Sequence, residues 1–190
     1  MDWLSSMTAS ASEPPPSPTP APAAADQPST SEPLLFLDID GVICCNYECR
    51  LEEDKLRQLK RIHKATACKI VISSDWRKNL PMKQKLQRAL DRLGIPCIGS
   101  TPVAKTNWKQ VGNWKYEIGC RPMEIVEWLR KYRRHDLDGL RWAAIDDRDL
   151  LNEVGGADLV GHMVRTEMVR GLTADEANLA IEILQGVSRA

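Results

Sequence analysis

The sequence predicts an α/β fold in which a parallel sheet is covered by helices on both faces, and three observations predict it. Short apolar runs recur at 34–37, 69–72 and 140–145, and segments of helical periodicity fill the intervals between them. Each run also stops abruptly in polar residues: Asp38 and Asp40 follow the first, Ser73 and Ser74 the second, Asp146 and Asp147 the third. Ligand sites in such sheets lie beyond the carboxyl ends of the strands, so the three polar ends are expected to meet.

The chain has 190 residues, enough for one domain of ordinary size and a tail. Residues 1–33 hold eight prolines among Ser, Thr and Ala, with Trp3 as their one aromatic residue. Such a segment buries too little apolar surface to offset chain entropy and is expected to be a disordered tail, leaving 34–190 as the folded domain. All 26 basic side chains lie after residue 33, against 22 of the 26 acidic ones, so the folded part carries about +4. That excess is too small to argue nucleic-acid binding by itself, although it suits a phosphorylated substrate.

The six cysteines form no C-x-x-C pair, and Cys44, Cys45 and Cys49 lack histidines at zinc-finger spacing, so reduced thiols are expected. No apolar run approaches the roughly 20 residues that span a bilayer. The expectation is an intracellular protein with no membrane partner, placed in the cytoplasm, with organelle targeting by the tail left open. The tail lacks Arg and carries acids, which argues against an amphipathic transit peptide.

The elements follow in order. The run Leu34 to Leu37 enters Asp38-Ile39-Asp40-Gly41, where the glycine frees the backbone to turn. Residues 52–65 set Leu56, Leu59 and Ile62 on one helical face. After the second run, Pro81 near a first turn, Met82, Leu86, Leu90 and Leu93 at helical spacing, and Gly94 as a stop predict a second helix. A short strand at 96–98 should follow. Residues 99–120 read as a long loop, a lid or a stretch hiding small elements, in which Trp108, Trp114 and Tyr116 alternate with Lys105, Lys109 and Lys115. Those aromatics either stack on a base or pin the loop to the core. Pro122 opens a helix whose buried stripe is read as Ile125, Val126, Leu129 and Tyr132. A strand near 159–164 and a helix starting at Thr173, with Glu176 completing a capping box, close the domain.

Carboxylates gathered at one sheet edge would repel one another unless a divalent cation stood among them. Oxygen ligands alone, with no matched His or Cys, suit Mg²⁺. A hydroxyl at the second strand end could hold a phosphate oxygen, and one carboxylate would be free to attack phosphorus and form an aspartyl-phosphate. The chemistry that fits is phosphoryl transfer.

On these residues the sequence resembles the haloacid dehalogenase (HAD) superfamily of phosphohydrolases. Asp38-Ile39-Asp40-Gly41-Val42 is similar to its first motif, Ser73 stands at its second, and Ile145-Asp146-Asp147 is similar to its fourth. Ser73-Ser74-Asp75-Trp76-Arg77, the Glu124 to Leu129 stretch and Gly171-Leu172-Thr173 look like the branch that includes the HAD domain of multifunctional RNA-repair proteins. The resemblance implies a Rossmann-like three-layer α/β/α sandwich with a mostly parallel sheet and a minimal cap or none. It implies Asp38 as nucleophile and metal ligand, and Asp40 as general acid and base that binds Mg²⁺ through its backbone carbonyl. Asp146 and Asp147 would complete the metal shell, and Ser73, with Ser74 as the alternative, would hold the phosphoryl group.

The third motif of the family is usually a Lys before the fourth-motif strand, whereas this place holds Arg121-Pro122. Arg121 is the favoured replacement and Lys115 the alternative, since a guanidinium grips phosphate well. With no room for a full cap, the site should be open and suited to a large phosphorylated substrate, a nucleic-acid end or a phosphoprotein. The function expected is Mg²⁺-dependent phosphomonoester hydrolysis. The alternative is a catalytically weak interaction module of the same fold that binds a protein or nucleic-acid partner.

Overall fold

The structure is a computed structural model and describes residues 32–103, 108–111, 114–117, 120–132 and 139–187, with backbone alone for 108–111 and 114–117. Nearly all of the expected tail, together with Lys105, Arg133, Arg134 and His135, lies outside the described residues. The strands are β1 (Leu34–Leu37), β2 (Lys69–Ile72), β3 (Cys97–Ser100), β4 (Trp108–Val111), β5 (Trp114–Glu117), β6 (Trp142–Asp146) and β7 (Met163–Arg165). The α-helices are α1 (Glu53–Thr66), α2 (Leu80–Leu93), α3 (Arg121–Tyr132) and α4 (Ala174–Gln185).

Five strands form one sheet in the order β3-β2-β1-β6-β7, and every neighbouring pair is parallel. The first strand of the chain therefore lies at the centre, and the strand order switches direction between β1 and β6. That is where an open parallel sheet leaves a crevice for a ligand. Register sharpens the point. Leu37 is level with Ile72 on one side and with Ile145 on the other, so Asp38, Ser73 and Asp146 are the next residues on three adjacent strands.

Alternation along β1 divides the core. Leu35 and Leu37 join α1, α2 and α4 on one face, packing with Leu56, Leu59, Ile62, Leu86, Leu90, Ala177 and Leu184. Leu34 and Phe36 face the other way onto Ile125, Trp128 and Leu129 of α3. Burying each such large side chain stabilises by about 1.5–3 kcal/mol. The α3 stripe differs from the expected one: Val126 is half-buried and Tyr132 exposed, while Trp128 is buried edge-on to Phe36 at 5.5 Å. An indole fills the space beside Phe36, and Tyr132 is left to stack on its outer side at 4.5 Å.

The helix ends follow local chemistry. Asn79 caps α2 by accepting from the Met82 N–H, and Gly94 closes it in the left-handed region. Thr173 and Glu176 form the expected capping box of α4. The strand expected near 159–164 begins later, at Met163, because Gly156–Leu159 winds into a short 3-10 helix. Within 99–120, β4 and β5 pair antiparallel, so this stretch is no featureless loop; its hairpin signal is Gly112-Asn113 between two β-prone tetrads. No helix among the described residues is long and apolar enough to cross a membrane.

Candidate active site

Asp38 leaves the end of the central strand and is 5% exposed; Asp146 leaves the end of β6 and is 2% exposed. Between them stands Arg121, the first residue of α3, because α3 packs on the face of the sheet toward which the Phe36 side of β1 points. One guanidinium nitrogen, Nη1, lies 2.8 Å from Asp38 Oδ1 and 2.8 Å from Asp146 Oδ2. Asp146 also accepts from the backbone N–H of Arg148 at 3.0 Å. Asp38, Asp146 and Asp147 each offer a carboxylate oxygen within 4.8 Å of the others, an arrangement that could hold a metal ion.

The electrostatics follow from that crowding. Burial pushes the Asp38 carboxyl up to about 7; Arg121 opposes the shift, and the neighbouring Asp146 adds to it. Burial likewise raises Asp146, again against Arg121. Arg121, paired with both, is thus the group that keeps the two acids tolerable.

Gly41 adopts φ +67°, and a Cβ there would come within 2.7 Å of Asp147, so the turn after Asp40 can press against the third carboxylate only with glycine. Thr166, just after β7, fixes this turn from the other side by donating its hydroxyl to Gly41 O at 2.7 Å. The Asp40 side chain is exposed and stands outside the group of three acids. Trp76 holds it: the indole Nε1–H lies 3.0 Å from both carboxylate oxygens.

The two serines take different places. Ser73 shares the sheet level of Asp38 and Asp146, but its hydroxyl is buried and has no hydrogen-bond partner among the described residues. Ser74 instead interacts with the Asp38 carboxylate through its side chain and caps the 3-10 helix Asp75–Lys78. The chain turns off the sheet at that point, which brings the second hydroxyl, rather than the first, round to Asp38. Of the two cations that could serve as the third motif, Arg121 joins the carboxylates, and the Lys115 side chain lies outside the described residues.

Sequence reasoning missed the supports. The Arg77 side chain is buried, donates to Ser74 O at 2.7 Å and to Glu124 Oε2 at 2.6 Å, and so ties the second strand end to the first turn of α3. Its signal is the presence of Arg77 and Glu124 within two motif-like stretches, yet nothing in one dimension says that they touch. His63 and His162 point to backbone carbonyls, of Cys68 and Trp142, in keeping with a structural role.

A five-stranded parallel sheet of this order, with paired acids at the ends of its central strands, defines a HAD-superfamily α/β domain. The family model described as the HAD domain in Swiss Army Knife RNA repair proteins matches residues 34–177, and the chain belongs to that family. Neither a curated protein nor a solved structure matches it. Domains of this superfamily are generally hydrolytic, of the phosphatase type, and typically use a metal ion, for which the buried acidic group is the candidate holder.

Proposed function

We propose that the chain is a Mg²⁺-dependent phosphomonoesterase working through an aspartyl-phosphate on Asp38. The observation that carries this reading is the convergence of Asp38, Asp146 and Asp147 at one sheet edge with Arg121 in their midst. The donor set fits the ion: three carboxylates, all offering hard oxygens. Asp38, Asp146 and Asp147, with the Asp40 carbonyl, would hold it, and a bound Mg²⁺ supplies neutralisation of the phosphate charge.

The residues divide the work. An Asp38 oxygen attacks phosphorus, the ester P–O bond breaks, and Asp40 gives its proton to the leaving oxygen. Water then attacks the phosphorus of the acyl phosphate, Asp40 takes the proton back, and Asp38 is regenerated with release of phosphate. Trp76 keeps Asp40 in the orientation both steps need. Arg121, the Ser74 hydroxyl beside Asp38 and the Ser73 hydroxyl, unpaired among the described residues, are the donors for phosphoryl oxygens. A loose transition state leaves most of the catalysis to such positioning.

The test is release of phosphate from a generic aryl phosphate, with and without Mg²⁺. Asp38→Asn should lose activity by roughly 10⁴-fold or more, the scale seen when a nucleophile is removed. Full activity in that variant, or in chelator, would end the reading. A second reading, a catalytically weak interaction module, draws on the same guanidinium: Arg121 already pairs with both buried acids, so the site can persist without metal. No Mg²⁺-dependent gain in thermal stability and no turnover would favour it.

A further inference from the structure

We propose that the loop between β1 and α1, with the outer face of α2, forms a path for a nucleic-acid strand, seating the terminal nucleoside first and its following phosphates next. The inference deepens the phosphatase reading and rests on it, because it concerns the leaving group that Asp40 would protonate.

Two depressions meet at this loop. The first, about 310 Å³, starts at Asp40 and Gly41 and is lined by Cys44, Cys45, Tyr47, Met168 and Val169. Apart from Asp40 and Asn46 its walls are apolar or thiol-bearing, and Tyr47, Met168 and Val169 are exposed large side chains gathered at its rim. Tyr47 is fully exposed, a flat ring with no packing of its own. The second depression, about 380 Å³, is lined by Arg50, Lys85, Arg88 and Arg92 with Leu51 and Ala89. Cys49 in the first adjoins Arg50 in the second, and Lys85 Nζ pins the junction by donating to Cys49 O at 2.8 Å.

The order of these surfaces identifies the occupant. Outward from Asp40 come an apolar hollow with a free aromatic face, then four cations. Lys85, Arg88 and Arg92 are spaced along one face of α2 over about 10 Å, at 1.5 Å per residue. Arg88 and Arg92 form no ion pair among the described residues, and Arg50 has only a loose contact, 3.9 Å, with the exposed Glu48. A nucleic-acid end presents the complementary order: a base with a π-face beside the scissile phosphate, then repeating phosphodiester charges. An acidic phosphopeptide would match the cations but would leave the stacking hollow unused.

Binding separates this inference from the reaction. In the full chain carrying Asp38→Asn, the Kd for a fluorescent ten-nucleotide oligoribonucleotide bearing a terminal phosphate is measured by anisotropy. The added double change Arg88→Glu with Arg92→Glu should weaken binding at least tenfold. It should also flatten the slope of log Kd against log salt by about 1.4, at about 0.7 for each phosphate no longer neutralised. Tyr47→Ala should weaken binding about fivefold or more, the effect of one stacked base. Lys64→Glu, one such reversal at the exposed end of α1, serves as the control and should leave Kd within twofold. An unchanged Kd in the double variant, or equal affinity for an acidic phosphopeptide of the same net charge, overturns the proposal. Failure of the phosphatase reading shows separately, as no turnover of aryl phosphate by the unaltered chain.

Discussion

The two sides of the site are built in opposite ways. On the inner side, Asp38, Asp146 and Arg121 are all about nine-tenths buried or more, fixed by strand register and by the first turn of α3. On the outer side, Asp40 and Tyr47 are exposed and sit on a turn and a loop, braced by single side chains, Trp76 and Lys85. The difference teaches that reacting groups need a low-dielectric, rigid setting where charge is strong, whereas groups that receive a leaving group need access. Removing an inner group should therefore disturb both fold and chemistry, and removing an outer one chemistry alone.

The largest effect should come from Arg121→Ala. It leaves Asp38 and Asp146 facing each other without a cation, which in the metal-free protein should cost about 3–5 kcal/mol of stability. Arg121→Lys should restore most of it, and Mg²⁺ should recover part of the loss in the alanine variant. Chemical denaturation with and without Mg²⁺ reads all three; an alanine variant as stable as the parent would break the inner half of the comparison.

Asp40→Asn should slow turnover by about 10²- to 10⁴-fold while leaving stability near that of the parent. The loss should be smaller with a p-nitrophenyl ester than with an alkyl phosphate, since the better leaving group needs its proton less. Equal losses on both substrates would remove Asp40 from the role of acid.

A pH experiment sharpens the inner half. The Asp38 carboxyl is raised from 3.8 to about 7 by burial, with Arg121 opposing and Asp146 adding. The folded state thus holds a proton that the unfolded chain releases, so this contribution to stability is fully present below about pH 4 and is lost as pH rises toward 7. Metal-free Asp38→Asn should become steadily more stable relative to the parent across that window. A difference independent of pH would show that Asp38 does not titrate there.

Trp76→Phe should have the smallest effect, a decrease of about tenfold in kcat, below the roughly 10²-fold or more that a positioned acid and base contributes because Asp40 itself remains, with a shifted pH profile and little change in KM. Loss of the bond to Asp40, rather than of packing, is the cause, because the phenyl ring keeps most of the buried bulk. An unshifted profile would make Trp76 a packing residue only.

The apolar runs and their polar ends are legible in the sequence because burial on both faces of a parallel strand leaves a nearly unbroken apolar signal. The acids after 34–37 and 140–145 can be paired in advance for the same reason. The contact of Ser74 with Asp38 is harder to read, since a turn off the sheet, rather than position in the strand, decides which hydroxyl comes round. Tyr132 has the helical spacing from Leu129 that a core residue would have, yet Trp128 occupies the space beside Phe36. The antiparallel pair 108–111 and 114–117 has its own sequence signal in Gly112-Asn113, obscured by the alternation of lysines and aromatics around it.

By itself, then, the sequence determined the three central strands, the four helices, the α/β class and the acids at the strand ends, because these depend on local periodicity and on which residues tolerate burial. Tertiary structure decided what stands between those acids. Only the switch of strand order beside β1 and the packing of α3 on one face place Arg121 within 2.8 Å of both Asp38 and Asp146, 83 and 25 positions away in the chain. It also decided that Trp76 grips Asp40 and that a loop and a helix face join into one surface. Contacts of that kind depend on distances in space that residue order does not record.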